Sequence, residues 1–489
     1  VNFEGEVARL AALLGVILGG EGASIEAIRA ALVELLVAMP VYRTYNQQGP
    51  AAGQDRVVLD RALEAAARAA PHLETALRRV HSVLLGDGTH ADAPAALEAR
   101  QRFQQLSGPV MAKSVEDTFF YRDHRFIALN EVGCDPVEAT PGLAGFHRAM
   151  ADRRRNARHA LSATATHDTK RGEDARARLL ALSEMPDAWN VAVGAWRERN
   201  RDKVAALPGG PAPEPGMEWL IFQALAGAWP SPPGEAAGEL AGLRERFDDY
   251  LEKAMREAKR RTDWTAVDED YEASVKAYAA SLFDRHSFVE EFSALVRPLA
   301  MAGWRNSLAQ TAVKLLAPGI PDIYQGSEAA DFSLVDPDNR RPVDFARLAS
   351  RLQGGDLRAF PLIKQKLIAR LLRLRREMAD LFAEGDYLPL DVAGPRRDRL
   401  AAFARLHEGR AVVAVVPRRT LSLAGPDGEI APEVWRGTYV PLPDDLRRDR
   451  FGNVLAGGGI DLGARLDVES VLIKPWPWVF VAARPAAGG

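Results

Sequence analysis

Apolar residues recur at helical spacing through most of the first hundred positions, with Ile25 to Met39 and Arg61 to Leu85 as the clearest stretches. Between them the β-branched and aromatic run Pro40 to Tyr45 predicts a strand. Ser107-Gly108-Pro109 reads as a helix breaker, after which Val110 to Asn130 mixes polar, aromatic and small residues too densely for a plain amphipathic helix. Leu161 to Thr166 predicts a short strand, followed by a charged junction and a helix from about Ala175. Helical pattern then runs to about Leu299, with Leu207 to Met217 and Pro230 to Gly238 as Pro/Gly-rich loops. Within it, Leu243 to Thr262 sets Phe247, Leu251, Ala254, Met255 and Ala258 on one face and alternating charges on the other. Pro318 to Gly326 predicts a turn, a strand and a glycine stop, and Leu362 to Phe382 an amphipathic helix. Beyond it the pattern shifts to β-rich runs at Leu400 to Leu406, Arg410 to Val416, Gly437 to Val440 and Ser470 to Val481, as in a small antiparallel domain.

Composition narrows the partners. The 489 residues are 47% hydrophobic and 26% charged, so the chain folds around sizeable cores. Lys and Arg number 63 against 66 Asp and Glu, and a net charge of -3 gives no overall attraction to nucleic acid or an anionic membrane. The longest apolar run, Leu10 to Gly20, is too short to span a bilayer and follows Glu4 and Glu6, where a secretory signal carries positive charge. A single cysteine, Cys134, excludes an internal disulfide and a thiolate zinc cluster, so a reducing, cytoplasmic setting is expected.

Three clusters carry candidate chemistry. Thr166-His167-Asp168-Thr169-Lys170 emerges where a strand meets a loop, where a His and an Asp can position a substrate hydroxyl and place a carboxylate beside a developing cation. An Asp or Thr capping the next helix is the structural alternative. In Lys113 to Arg122, rings beside Lys113, Glu116, Asp117 and Arg122 suit a sugar, whose C-H faces stack on aromatics while its hydroxyls meet charges. The same composition equally suits a structural ion-pair network. The third cluster, Asp336 to Asp344, is too polar for a core strand and is stiffened by Pro337 and Pro342. A rival from another chemical class, a metal-dependent phosphohydrolase, would use the His167-Asp168 dipeptide with His124, His147 and His159. A glucan-binding chain without turnover is a third reading.

Together, GPVMAKSVEDTFFYR (108 to 122), LNEVGCDP (129 to 136), THDTKRGEDARARLLALSEMPDAW (166 to 189), PGIPDIYQGSE (318 to 328) and SLVDPDNRRPVDF (333 to 345) resemble maltooligosyl trehalose synthase, from about Pro40 to the β-rich C-terminal region. Cys134, Ser114 and Phe119 depart from it, standing where glycine and smaller residues are expected. That family is similar to the α-amylases, so the resemblance implies an α/β fold: the C-terminal part of a (β/α)8 barrel with large helical insertions and a C-terminal antiparallel β domain. The segments implied are a mainly helical 1–105 with one barrel strand near 41–45, a barrel segment 106–190, a helical insertion 191–300, the last strand and helix at 301–385, and a β domain 386–489. Leu161 to Thr166 would be strand seven and Ile320 to Gln325 strand eight.

The activity implied is an isomerase reaction: the reducing-end α-1,4 linkage of a maltooligosaccharide becomes an α,α-1,1 linkage, by retaining transfer without a cofactor or metal. Retention uses a nucleophilic and an acid/base carboxylate about 5 to 5.5 Å apart. Asp168 matches the third carboxylate of the amylase-like group and His167 the histidine beside the same sugar. Lys113 and Lys170 look like lysines around the terminal glucose, with Glu116, Asp117 and Arg122 near its pocket or in the shell supporting it. No strand-four motif with the nucleophile and no strand-five motif with the acid is present. The resemblance therefore implies an N-terminal fragment that supplies both, and the start at Val1 rather than Met agrees with this expectation.

Overall fold

The computed structural model describes residues 3–19, 24–47, 49–87, 93–137, 141–230, 236–353, 360–447, 450–454, 459–461, 463–471 and 478–482. The chain divides into two compact units, 1–122 with 257–259, and 123–256 with 260–489. It is mostly helical, with few sheets.

The first unit contains α1 (Glu4–Leu18), α2 (Ile25–Val37), α3 (Gly53–Ala69), α4 (Glu74–Leu85) and α5 (Pro94–Met111). In α1 the buried residues are Val7, Leu10, Ala11 and Leu14, the i, i+3, i+4, i+7 stripe that faces a core. Leu32, Leu35, Leu59, Leu77, Val80 and Phe103 of the other helices complete that core. Ser24 caps α2 by accepting from the Ala27 amide at 3.2 Å.

Two expectations are corrected here. No strand forms at 41–45: the Tyr42 and Asn46 carbonyls accept from the side chains of Ser107 and Gln104, both at 2.8 Å, and the Tyr45 amide donates to Asp55 at 2.9 Å. The extended backbone is thus satisfied by helix side chains rather than by a second strand. Nor does Ser107-Gly108-Pro109 break the helix. Pro109 sits inside α5, and the coil continues as a π-helical turn over Ala112–Glu116.

The second unit starts with α6 (Gly142–Asn156), β1 (Leu161–Ser162), α7 (Glu173–Leu180) and α8 (Pro186–Arg199). The stretch expected as a loop from Leu207 instead holds a hairpin, β2 (Ala205–Leu207) and β3 (Gly210–Ala212), and leads into α9 (Pro215–Ala228). Next come α10 (Ala236–Ala258), α11 (Glu269–Asp284), α12 (His286–Leu316) and β4 (Ile320–Pro321). The two strands expected around Leu161 and Ile320 are found, shortened to two residues each. They pair in parallel, Leu161 opposite Ile320 and Ser162 opposite Pro321. Among the described residues this is the one parallel pairing.

The chain ends with α13 (Phe345–Gln353), α14 (Phe360–Glu377), α15 (Ala379–Glu384), β5 (Asp386–Leu390), β6 (Leu400–His407), β7 (Arg410–Pro417), β8 (Tyr439–Pro441), β9 (Arg450–Asn453), β10 (Gly459–Asp461), β11 (Arg465–Asp467), α16 (Val468–Val471) and β12 (Trp478–Ala482). Six of these strands form one antiparallel sheet in the order β10-β9-β12-β7-β6-β5. Side chains alternate across it. Ala401, Phe403, Val412, Ala414 and Val416 pack on one face with Leu308, Leu315, Leu367 and Leu371 of α12 and α14. Leu400, Ala402, Val413 and Val415 face Leu423, Trp435, Val440 and Phe451 on the other. Covered on both faces, β6 is apolar from Leu400 to Ala404 and β7 from Ala411 to Pro417. The run expected as a strand from Ser470 begins as helix α16; its residues 472–477 lie outside the described residues.

Candidate functional site

The His-Asp motif lies between β1 and α7, on a turn closed by its own threonines. The Thr169 hydroxyl donates to the Thr166 carbonyl at 2.8 Å, and the Asp168 amide donates to the Thr166 hydroxyl at 3.2 Å. Short side-chain-to-backbone bonds of this kind hold a turn where no ladder exists. His167 and Asp168 stand at its tip, paired at 3.2 Å, with side chains 64% and 60% exposed. Arg340 approaches the other Asp168 oxygen at 3.4 Å. At the surface such pairs are weak, so the carboxylate remains available to a ligand.

Below the tip the same segment goes underground. Lys170 and Arg171 are buried, and the Lys170 amide donates to the buried Glu131 at 2.8 Å. The second Glu131 oxygen pairs with Arg176 at 2.7 Å, while Arg171 donates to the Ile127 and Asn130 carbonyls at 2.5 and 3.1 Å. Gly172 passes so close to Asp331 that a Cβ there would lie 2.4 Å from its carbonyl oxygen, which only glycine tolerates. Glu173 and Asp174 then open α7 in full burial. Lys364 of α14 contacts Glu173 at 2.5 Å and Asp174 at 2.8 Å, and Lys314 of α12 reaches Glu173 at 3.4 Å. Asp174 also accepts from the Asp331 amide at 2.6 Å and from the Ser307 hydroxyl. Burial pushes the Glu173 carboxyl up, but Lys364 and Lys314 more than reverse this and bring it down to about 2.

Lys113, Glu116, Asp117 and Arg122 belong to the first unit, whereas His167, Asp168 and Lys170 belong to the second. Lys113 pairs with Asp117 at 2.5 Å across one turn. Glu116 is buried and accepts from the Tyr42 hydroxyl. Arg122 donates to the carbonyls of Ala258 and Lys259 at 2.6 and 3.1 Å, neutralising the end of a helix. The phosphohydrolase histidines are engaged with separate partners: His124 with the Gly216 carbonyl at 2.7 Å, His147 with the Tyr387 hydroxyl at 2.8 Å, and His159 with Arg158 at 3.2 Å. Among the described residues no three His, Cys, Asp or Glu side chains gather as a metal site. No helix there is long and apolar enough to cross a membrane.

Sequence reasoning named Glu131 only within the string 129 to 136 and gave no role to Lys314 or Lys364. A lysine inside the apolar pattern of Phe360 to Leu372 was a signal for the last of them, because a charge on a core face needs a buried partner.

No family model matches the chain. A curated Mycobacterium tuberculosis protein, provisionally named a maltooligosyl trehalose synthase, is 37% identical over 407 residues, which are 81% of this chain and 49% of that protein. The solved structure of maltooligosyltrehalose synthase from Arthrobacter ramosus matches with 34% identity and a TM-score of 0.77, covering 98% of this chain and 56% of that one. A hypothetical maltooligosyl trehalose synthase from Sulfolobus tokodaii matches with 25% identity and a TM-score of 0.70, over 98% and 55%. In fold and sequence alike, the chain is related to enzymes named for trehalose formation. It is homologous to the maltooligosyl trehalose synthases, and it spans about half the length of the curated relatives it matches.

Proposed function

We propose that this chain is the C-terminal part of a maltooligosyl trehalose synthase and that it builds the pocket around the reducing-end sugars of an α-1,4-glucan. The observation that carries the reading is the His167-Asp168 pair, exposed on a turn that follows one of two parallel strands and is fastened underneath by buried charges. A carboxylate so placed accepts from sugar hydroxyls and strengthens that contact as positive charge develops at the neighbouring ring carbon. Lys170 of the second unit is assigned to sugar binding, and so, within the first unit, are Lys113, Glu116 and Asp117, with Arg122 in their support. The short parallel pair of β1 and β4 supports the barrel reading as strands seven and eight.

In this scheme the nucleophile and the acid/base belong to an N-terminal part. The acid protonates the departing O4 of the terminal glucose as the C1–O4 bond breaks, and the nucleophile holds the remaining glycosyl group. The freed glucose turns in its pocket. Its anomeric hydroxyl gives its proton to the same base and attacks C1, forming the α,α-1,1 bond with net retention. The substrate is uncharged, which suits a chain without electrostatic bias, and a cytoplasmic setting fits the lone thiol.

The test incubates purified chain with maltopentaose, with and without the N-terminal part of a relative, and follows reducing ends. They should disappear only in the combined sample. Disappearance with this chain alone would overturn the division of labour, and phosphate release dependent on a divalent metal would turn the reading toward the phosphohydrolase.

A further inference from the structure

The turn that presents Asp168 is held from a second side by a residue 171 positions away. Asn339 lies in a 3-10 turn (Asp338–Arg340) of the segment after β4 and is buried, 7% exposed. Its side-chain amide nitrogen faces three carbonyls of the His-Asp turn: Thr166 at 3.3 Å, His167 at 3.2 Å and Thr169 at 3.4 Å. Three oxygens converging on one group require a donor there, which fixes the orientation of the amide. The bonds are long because two hydrogens serve three acceptors.

Asn339 is itself immobilised. Its carbonyl accepts from Tyr324 at 3.1 Å, and its neighbours Asp338 and Asp336 pair with Arg246 at 2.7 Å and Lys253 at 2.5 Å, both on α10. Its own side-chain oxygen is buried with no hydrogen-bond partner, an unfavourable state that the three convergent bonds must offset. Helix capping or loop closure needs none of this, since the threonines already close the turn.

We propose that Asn339 is a positioning residue, whose buried amide gathers the carbonyls of Thr166, His167 and Thr169 and so sets the direction in which Asp168 is presented to a bound sugar. The proposal rests on the reading of Asp168 given above. It places the polar run Asp336 to Arg341 in the site as the template for the His-Asp turn, rather than as a charged surface loop.

Two variants of the 489-residue chain test it, N339A and N339D, through amide exchange of the 163–172 peptide corrected for intrinsic rates. N339A should exchange about ten-fold faster there, the equivalent of about one net hydrogen bond, with distant peptides unchanged. N339D should match N339A at pH 8, where a carboxylate repels the three carbonyls, and return toward wild type at pH 5, because burial beside three carbonyl oxygens raises its carboxyl and the protonated form regains a donor. A packing role would not respond to pH in this way. Unchanged exchange in N339A, or N339D tracking N339A at both pH values, overturns the proposal. If N339A does not fold, the pH comparison within N339D decides alone. Maltopentaose titration by calorimetry, with the N-terminal part of a relative supplied, adds the sugar: affinity should fall about ten-fold in N339A, and the N339A/D168N double variant should bind no more weakly than D168N alone. Additive losses overturn the coupling to Asp168. Absence of maltopentaose binding by wild type overturns the carbohydrate reading and leaves the exchange result to decide the positioning.

Discussion

The turn at 166–174 and the segment at 113–122 are equally rich in charge but are fastened in opposite ways. The first stands on two buried carboxylates, each within 2.8 Å of one buried lysine. In the second, the charged groups include a pair across a single helical turn, a buried glutamate bonded to a tyrosine, and an arginine bonded to helix-end carbonyls. Under the proposed function, a group that meets charge developing at a bond-breaking centre gains from rigidity, whereas a group around a sugar that turns in place gains from compliance. The contrast therefore bears on the roles proposed above, and four substitutions can break it or sharpen it.

The largest effect falls on activity. D168N, assayed with the N-terminal part supplied, should lose about 10³-fold in turnover while its urea midpoint stays at the wild-type value, because the side chain is exposed. Near-normal turnover would remove Asp168 from the site.

K364M comes next and acts on stability. Removing the cation from two buried carboxylates should cost about 3–5 kcal/mol by urea unfolding at pH 7. Its pH dependence has a definite sign. Glu173 is depressed, so its contribution is present above its ordinary value and lost as pH falls toward about 2; without Lys364 that contribution shrinks. Asp174 is raised by burial against the pull of Lys364, so losing the lysine makes its ionised form costlier still. Both terms widen the gap between variant and wild type at pH 7 and narrow it toward pH 3. A gap independent of pH would show that the carboxylates are not what Lys364 serves.

Y42F should cost about 1–2 kcal/mol, since it deprives a buried glutamate of one donor. A loss as large as that of K364M would abolish the contrast. The smallest effect is expected of K113A: its pair with Asp117 is an exposed one-turn pair worth about 0.3–0.5 kcal/mol, so any large loss of glucan affinity in that variant reports on sugar contact rather than folding.

What could be read from the sequence follows the range of the forces involved. Helices such as α1 to α4, with stripes repeating every turn, and β6 and β7, with apolar stretches at Leu400 to Ala404 and Ala411 to Pro417, announce themselves locally. The short strands β1 and β4 were visible for the same reason, although their pairing joins positions 159 residues apart. Pro40 to Tyr45 misled because strand-forming side chains say nothing about which partner satisfies the backbone. Pro109 misled because a proline costs a helix one backbone bond, which the packed α5 tolerates. Within the site, His167 and Asp168 were legible as a dipeptide, but Glu131, Asn339 and Lys364 act across 39, 172 and 190 positions, and no local pattern encodes such a contact.

The pairing of β1 with β4 joins only two residues on each strand, and Leu161 is left 70% exposed. So little ladder cannot by itself fix where the next ten residues go; that task falls to Asn339 and to the charges at 173, 174, 314 and 364. Drift in the lineage should follow the same division. The strand can exchange one apolar residue for another freely, whereas the four charged positions can change only in concert, so an alignment of relatives should show them substituted together or not at all.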